Sequence, residues 1–187
     1  LTENPDPDND RVWLGKNAIP DWNGGFNLSI DYKNFFLSTQ WNYAIGVDRY
    51  DADFEGFYDP DNIGQFNLSR DILNSWKQPG DITDVPSDTA INRNTYSGTA
   101  SDRFLRSADF LRLRFASFGY NFPASVLENS PLSKLRLFIN AENIITFSPW
   151  RGFDPEVFNT NGGVTRNLSQ NEFPTPSTVL FGIELSF

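Results

Sequence analysis

The sequence contains no cysteine and no histidine. Disulfide bonds, thiol catalysis, metal sites built from Cys and His, and histidine-dependent catalytic triads are therefore excluded from this chain. No stretch approaches about 18 consecutive apolar residues, which excludes a transmembrane helix. A transmembrane β-strand is not excluded, because it needs only about 9–11 residues of alternating character.

Basic side chains are also scarce. The chain has 15 Lys and Arg against 24 Asp and Glu, for a net charge of -9. Binding to nucleic acid requires clustered Lys and Arg that neutralise phosphates, so a nucleic-acid partner is disfavoured. The chain begins without Met and without a signal-peptide pattern. Because an exported protein is made with such a signal, we expect a fragment or a processed chain.

Aromatic residues, in contrast, are abundant. The chain has 18 Phe and 16% aromatic residues, although its mean hydropathy is -0.45 and it contains 13 Gly and 12 Pro. Many aromatic side chains in a polar, turn-rich chain suit a surface that alternates between two solvents better than one compact core. Such a surface requires strands in which apolar and polar residues alternate.

Apolar and polar residues alternate in several segments and predict β-strands. Phe26, Leu28 and Ile30 share one face of residues 24–32, and Lys33-Asn34 fits a two-residue turn in which Asn34 tolerates a positive φ. One further segment changes phase and needs a β-bulge near 114–116. The predicted strands are 24–32, 35–47, 108–122, 134–147 and 177–187.

The connections between these strands alternate in length. Those at 33–34 and 123–133 are short, whereas 48–103 and 148–176 are long and rich in Asp, Asn, Gly and Pro. Acidic residues concentrate in the long connections, with eleven acids and five bases in 48–103. Short turns at one end and long loops at the other are typical of outer-membrane barrels, with the long loops extracellular. Residues 69–76 could form a small helix within one loop, with Ser69 as its N-cap.

This pattern predicts an all-β fold, an antiparallel transmembrane β-barrel segment of about five strands with long extracellular loops. A soluble β-sandwich also alternates, but its solvent face usually carries more charge than the Ser, Asn, Gln, Gly and Ala found here. Five strands would form only part of a barrel, and the family resemblance given next implies a larger plugged barrel of about 22 strands.

Six motifs resemble those of the SusC/RagA family of TonB-linked outer-membrane proteins, in the family's order. They are IPDW, GGF and YK within 19–33, Trp76 with PGD at 79–81, RFLRSADFLRLRFASFGYNFP at 103–123, LRLFINAENIITF at 135–147 with the near-constant Asn143, GFDPEV at 152–157, and FPTP at 173–176 before a strand ending in Phe187. Together the motifs cover essentially the whole of residues 1–187.

The resemblance implies part of an outer-membrane active transporter that imports oligosaccharides or peptides, energised by TonB. Residues 1–187 would be the carboxy-terminal part of the receptor barrel, and the plug and the TonB box are absent from them. The implied partners are the remainder of the same transporter (barrel and plug), a SusD-like surface lipoprotein, the TonB complex through the missing amino-terminal part, the barrel-assembly machinery and membrane lipid. Neither enzyme activity nor a cofactor is implied. A passive outer-membrane pore and a soluble carbohydrate-binding β-sandwich are the alternatives.

Three residues above a predicted strand are substrate-contact candidates: Trp150, Arg151 and Phe153. An aromatic platform and a guanidinium donor there could hold a sugar or a peptide. The alternative for Trp150 is that it anchors the strand at the membrane interface. We expect the polar-face residues Arg112, Arg114, Arg136 and Glu142 to form structural ion pairs with each other or with the plug.

Two acidic patterns admit both a functional and a structural interpretation. Asp154 and Glu156 could be a carboxylate pair for glycosidic chemistry, but Pro155 between them favours a rigid turn. Oxygen-rich groups that resemble calcium loops occur twice, at Asp6, Asp8, Asn9 and Asp10 and at Asp59, Asp61, Asn62 and Gly64. Neither group has Glu at the final EF-hand position, so solvated acidic loops and no metal are expected.

Phe187 is the terminal aromatic of a strand with apolar residues at every second position. It resembles the signal that the barrel-assembly machinery reads. It can at the same time be the last residue that faces lipid, so both roles are predicted.

Overall fold

The computed structural model describes residues 12–59, 62–83, 85, 87, 102–157 and 168–187. The described residues divide into two compact units. The sheet unit comprises 19–47, 107–157 and 173–187, and the loop unit comprises the described residues of 12–18, 48–106 and 168–172. The sheet unit carries the predicted strands and the candidate site.

Eight strands and two α-helices form within the described ranges. They are β1 (Trp22–Tyr32), β2 (Phe35–Ile45), β3 (Asp48–Asp51), α1 (Ala52–Tyr58), β4 (Leu105–Ser107), β5 (Phe110–Asn121), α2 (Ala124–Leu127), β6 (Lys134–Phe147), β7 (Leu168–Ser169) and β8 (Thr178–Ser186). Short 3-10 helices lie at Arg70–Asn74 and Asp102–Phe104. Among the described residues, no helix has both the length and the hydrophobicity needed to cross a membrane.

The five long strands form one sheet in the spatial order β1-β2-β5-β6-β8. Each strand pairs antiparallel with the next over most of its length. Antiparallel neighbours that follow one another in this way need only turns and loops between them, and no crossover helix. The predicted antiparallel all-β architecture is therefore confirmed.

One face of this sheet is apolar from strand to strand. A row of paired residues crosses all five strands through Ile30, Leu37, Phe118, Ile139 and Phe181. Successive side chains of a strand point to opposite faces, so the polar residues between these positions lie on the other face. Phe181 is 76% exposed, and such an apolar exterior is typical of a surface that meets lipid.

The β1–β2 connection is the predicted turn at 33–34, and Tyr32 pairs with Phe35 across it. The positive φ, however, lies at Lys33 (54°) and not at Asn34, so that prediction was wrong. A two-residue hairpin takes a positive φ either at both central residues (type I′) or at the first alone (type II′), and this turn follows the second pattern. Asn34 instead donates from Nδ2 to the Tyr120 hydroxyl oxygen at 3.2 Å, which ties the turn to β5.

β5 contains the bulge that its change of phase predicted. Its pairing with β6 shifts between Leu113 and Phe115, and its pairing with β2 shifts at the same place, so Arg114 is the extra residue. On β6 the shift leaves Asn143, with φ of 53°, and Ile144 outside the ladder. The bulge turns the apolar residues of both halves of β5 to one face.

Two large rings lie on the polar face of the sheet near its short turns, and glycines make room for them. Phe138 pairs with Gly119 on one side and with Gly182 on the other, and Phe36 also pairs with Gly119. A β-carbon at Gly182 would overlap the Phe138 ring. The Arg136 guanidinium lies 3.9 Å from the centroid of the Phe36 ring. This end of the polar face is thus packed, and Gly182 has no room for a larger side chain.

The loop unit is built around a second small sheet and an aromatic cluster. β3 lies between β4 and β7 in that sheet. Phe104, which is 2% exposed, packs with Tyr58 and Val85. Ser69 caps the 3-10 helix Arg70–Asn74 by accepting a hydrogen bond from the Asp71 backbone N–H at 3.3 Å. The small helix predicted at 69–76 is therefore present as this shorter 3-10 helix.

Leu37→Arg and Gln40→Arg test which face of β2 meets lipid. Leu37 lies in the apolar row, whereas Gln40 is exposed on the polar face of the same strand. In the full-length protein in lipid, we expect Leu37→Arg to lower the free energy of unfolding by about 2–4 kcal/mol, and Gln40→Arg by less than about 1 kcal/mol. Chemical unfolding measures both values. Equal losses would show that the faces are wrongly assigned.

Candidate functional site

The candidate site surrounds the rim loop, residues 148–157, which follows β6 at the loop-rich end of the sheet unit. Ser148 begins the loop and ties it to the residue before β5. Its Oγ donates to the Asp109 carbonyl oxygen at 2.6 Å and accepts from the Trp150 backbone N–H at 3.0 Å. The path of the loop is thus fixed from its first residue.

Trp150 anchors the first half of the rim loop. Its side chain is 8% exposed and belongs to a cluster of buried residues. The other members of that cluster are Ala44, Val47, Ala108 and Phe110. Gly152 approaches the indole closely, since a β-carbon at Gly152 would lie 2.8 Å from the ring atom Cε2. The loop therefore packs against its own tryptophan, and the tryptophan packs against the sheet unit.

Asp154 anchors the second half of the rim loop. It forms an ion pair with Arg112 of β5, and the two side chains are 3% and 4% exposed. Asp154 also accepts the backbone N–H groups of Glu156 and Thr175, each at 2.9 Å. Arg112 Nε donates to Thr146 Oγ1 at 3.1 Å. One buried carboxylate thus joins β5, the rim loop and the segment before β8.

Glu156 forms a second anchor beside the first. Its Oε2 lies 3.0 Å from Arg112 Nη1, and its Oε1 accepts a hydrogen bond from Arg114. Arg114 Nη1 donates to Asn143 Oδ1 at 3.2 Å, and Asn143 Nδ2 donates to the Pro176 carbonyl oxygen at 3.1 Å. The residues at the bulge in both strands therefore hold the rim loop and the segment before β8.

The pKa of the Asp154 carboxyl is lowered from its ordinary value of 3.8. Burial acts most strongly and raises this pKa, but the hydrogen bonds from Arg112 and from the backbone N–H groups of Glu156 and Thr175 together outweigh it. A carboxyl with a lowered pKa stabilises the fold above its unfolded pKa and loses that effect as the pH falls through its folded pKa. Asp154 therefore stays charged in mildly acidic surroundings.

The three predicted substrate-contact residues differ in their exposure. Trp150 is buried among protein side chains, so it anchors the loop within the protein and leaves little of its ring for a ligand or for the membrane interface. Arg151 is exposed, and Phe153 is 64% exposed. Arg151 forms no ion pair within the part of the chain that the structure describes. Substrate contact by these residues stays a prediction, and the structure leaves Arg151 and Phe153 accessible for it.

Asp154 and Glu156 are both engaged by arginines, which favours the structural interpretation of this pair. A general acid for glycosidic bonds needs a raised pKa, whereas the pKa of Asp154 is lowered. Pro155 is buried between them, as expected for a rigid turn. The pair therefore holds the loop in place.

The described residues contain no group of three or more Asp, Glu, Cys or His side chains that could hold a metal ion. The acidic group at Asp6, Asp8, Asn9 and Asp10 lies outside these residues, as does Asp61. Phe187 follows β8 directly and is 87% exposed. Its role as an assembly signal stays a prediction.

Arg112 and Arg114 were expected to pair with other polar-face residues or with the plug, but they pair with Asp154 and Glu156 of the rim loop. The sequence did contain an indication of these partners, because the carboxylates of Asp154 and Glu156 follow β6 at the end of the sheet where the two arginines lie. The family resemblance singled out Asn143 but not its partners, and Thr175 gave no such signal. Their contacts involve the Pro176 carbonyl oxygen and the Thr175 N–H, and every residue except proline carries both backbone groups.

Comparison with known proteins gives relatives over nearly the whole chain. TonB-dependent receptor P39 of Formosa agariphila is 31% identical over 186 residues, which are 98% of this chain and 18% of that receptor. TonB-dependent receptor P3 of the same organism is 28% identical over 183 residues, 95% of this chain and 17% of its own length. The chain thus spans less than a fifth of these relatives. No family model matches it.

Solved structures of a transporter show the same fold. The RagAB peptide importer in its closed-closed state matches with a TM-score of 0.77 and 28% identity, over 93% of this chain and 18% of that one. The open-open state of the same importer matches with a TM-score of 0.76 over 92% of this chain. The sheet matches a β-barrel segment of a TonB-dependent transporter. The resemblance to the SusC/RagA family is confirmed.

Arg112→Ala tests the buried anchor. The substitution leaves the Asp154 carboxylate buried without its cation, and breaking a buried pair in this way costs about 3–5 kcal/mol of unfolding free energy. Lys134→Ala is the control. It removes a 2.5 Å ion pair with Glu184 in which both side chains are more than 40% exposed, and such solvent-screened pairs contribute little to stability. Chemical unfolding of the full-length protein compares the two variants, and similar small losses would contradict the anchoring role.

Proposed function

We propose that the chain is part of an outer-membrane active transporter that imports oligosaccharides or peptides and is energised by TonB. The observation that carries this proposal is the similarity to TonB-dependent receptors over 98% of the chain. The apolar outer face of the sheet is consistent with residence in the outer membrane, since a barrel strand turns its apolar side chains to lipid.

The proposed partners follow from the same relatives. The remainder of the barrel would pair with β1 and β8, because each of these strands has only one neighbour in the described sheet and an open edge is not viable in lipid. A SusD-like surface lipoprotein is proposed because the matched structures are of a two-component assembly, RagAB. The TonB complex would act through an amino-terminal part beyond residues 1–187.

A passive outer-membrane pore is the alternative function, because its strands would show the same alternation. Active import is favoured, since the matched relatives are named TonB-dependent receptors and the matched structures are of an importer. These relatives are named as receptors and importers, and none is named as an enzyme. The two candidates differ in one measurable property, the need for energy.

Dependence on TonB tests the proposed function. Cells that make the full-length transporter are given labelled casein peptides or labelled malto-oligosaccharides, with TonB present or deleted. We expect accumulation of at least one mixture to fall to the background of cells without the transporter when TonB is deleted, because the closed plug opens only when work is done on it. Uptake of free glucose serves as the control for general permeability. Accumulation that does not change on deletion of TonB would favour the passive pore.

Phe187 is proposed to guide insertion by the barrel-assembly machinery. The last strand must dock on that machinery before the barrel closes, and an aromatic residue at its end is exposed at that stage. In the finished barrel, β8 is held by backbone hydrogen bonds to its neighbours, and one terminal ring adds little to them. The two roles of Phe187 therefore differ in when they act.

Phe187→Ala in the full-length protein should lower abundance in the outer membrane several-fold. The melting temperature of the protein that does insert should hardly change, because the strand's hydrogen bonds are intact. Phe173→Ala is the matched control, since Phe173 is 90% exposed but lies outside the strands. Normal abundance together with a much lower melting temperature would show that Phe187 acts only in packing.

A further inference from the structure

The rim loop presents a cation that has no carboxylate partner in the described structure. The two acidic residues of the loop, Asp154 and Glu156, form ion pairs with Arg112 and Arg114 of β5. Arg151 lies three residues before Asp154, is exposed, and forms no ion pair with any described residue. A guanidinium is permanently charged and carries a planar fork of donors that fits a carboxylate. The loop therefore offers an unused binding group for an anion.

An exposed aromatic ring accompanies this cation. Burial alternates along the loop, with Trp150 at 8% and Asp154 at 4% exposure on the inner side and Arg151 and Phe153 on the outer side. The ring of Phe153 can cover an apolar or CH-rich surface, while the guanidinium binds an adjacent carboxylate through two hydrogen bonds. Together the two side chains fit a ligand in which a carboxylate lies beside an apolar group.

The loop is anchored on both sides of these two residues. Trp150 is packed in the buried cluster before them, and Asp154 is held by Arg112 after them. A loop that is already ordered loses less conformational freedom on binding, so more of the contact energy appears as affinity. A ligand bound by the loop would thus depend on the buried ion pair, although neither Arg112 nor Asp154 is accessible to it.

We infer that the rim loop is a binding site for a ligand with a carboxylate group, which Arg151 and Phe153 contact and which Arg112 positions through Asp154. This inference rests on the proposed function and names the substrate chemistry that the transporter recognises at this loop. One guanidinium and one ring fit a single carboxylate beside an apolar group better than a highly charged chain, which would need several cations. The free carboxyl terminus of a peptide and a terminal uronate of an oligosaccharide both supply this chemistry.

Binding to the purified full-length transporter tests the contact residues. The fluorescent probes are a short peptide ending in leucine with a free carboxylate, the same peptide with an amidated end, and a xylo-oligosaccharide with one terminal glucuronate. We expect at least one carboxylate probe to bind, and Arg151→Ala to weaken it by about tenfold or more, because a charge-assisted hydrogen bond is lost. Arg70→Ala, which removes an exposed arginine of the loop unit, should leave affinity unchanged.

Hydrogen exchange of residues 149–157 tests the positioning role. Arg112→Ala should accelerate exchange and weaken the probe, and Arg112→Lys, which keeps the charge, should restore part of both. Arg151→Ala should weaken the probe but leave exchange as in the wild type, because it removes no anchor. Faster exchange in Arg112→Ala and Arg112→Lys with unchanged affinity would show that the pair is only structural, and would overturn the positioning role.

The remaining outcomes separate this inference from the proposed function. A wild-type transporter that binds no probe, or that binds the amidated peptide as tightly as the free one and no glucuronate, would overturn the inference. So would equal effects of Arg151→Ala and Arg70→Ala. TonB-dependent accumulation of casein peptides or malto-oligosaccharides in such a case would leave the proposed function standing.

Discussion

The sheet unit depends on one constraint, the in-register pairing of strands whose side chains alternate between two faces. Because the period is two residues, a slip of one residue would exchange the faces and turn polar groups toward lipid. The pairing of Tyr32 with Phe35 across a two-residue turn fixes the first hairpin. At the other edge, Gly182 lies under the Phe138 ring, and a slip would bring Phe181 or Ile183 there instead. The steric fit at Gly182 thus favours the same register as the division of side chains between the apolar and the polar face.

The one interruption of this period lies where the candidate site is built. At the bulge, Arg114 and Asn143 leave the ladder, and their side chains bind Glu156 and the Pro176 carbonyl oxygen. A regular strand has no extra residue, and the backbone groups of its residues form hydrogen bonds with the neighbouring strands. The departure from regular pairing therefore adds a second connection between the sheet and the rim loop, beside the ion pair of Arg112 with Asp154.

How far the candidate site could be predicted depends on the kind of interaction at each residue. The bulge near 114–116 was predictable, because the phase of apolar residues changes along β5 and only an extra residue restores it. The rim loop was predictable as a candidate substrate-contact region, because it contains aromatic and charged residues. The burial of Trp150 was not, because an aromatic residue above a strand can face ligand, lipid or protein. Its surroundings, Ala44, Val47 and Ala108, come from distant parts of the chain.

The sequence by itself determined the alternation, the turn at 33–34, the five long strands and the family resemblance, since each is a local pattern or a sum of local patterns. Only the tertiary structure decided which charges meet. Arg112 and Asp154 are 42 residues apart, and their pairing follows from the register of β5 with β6 and from the path of the loop between them. The structure also decided the type of turn at 33–34, because Lys33 has a positive φ and Asn34 does not. The fold decides which side chains pair, whereas the residue types only limit which pairs are possible.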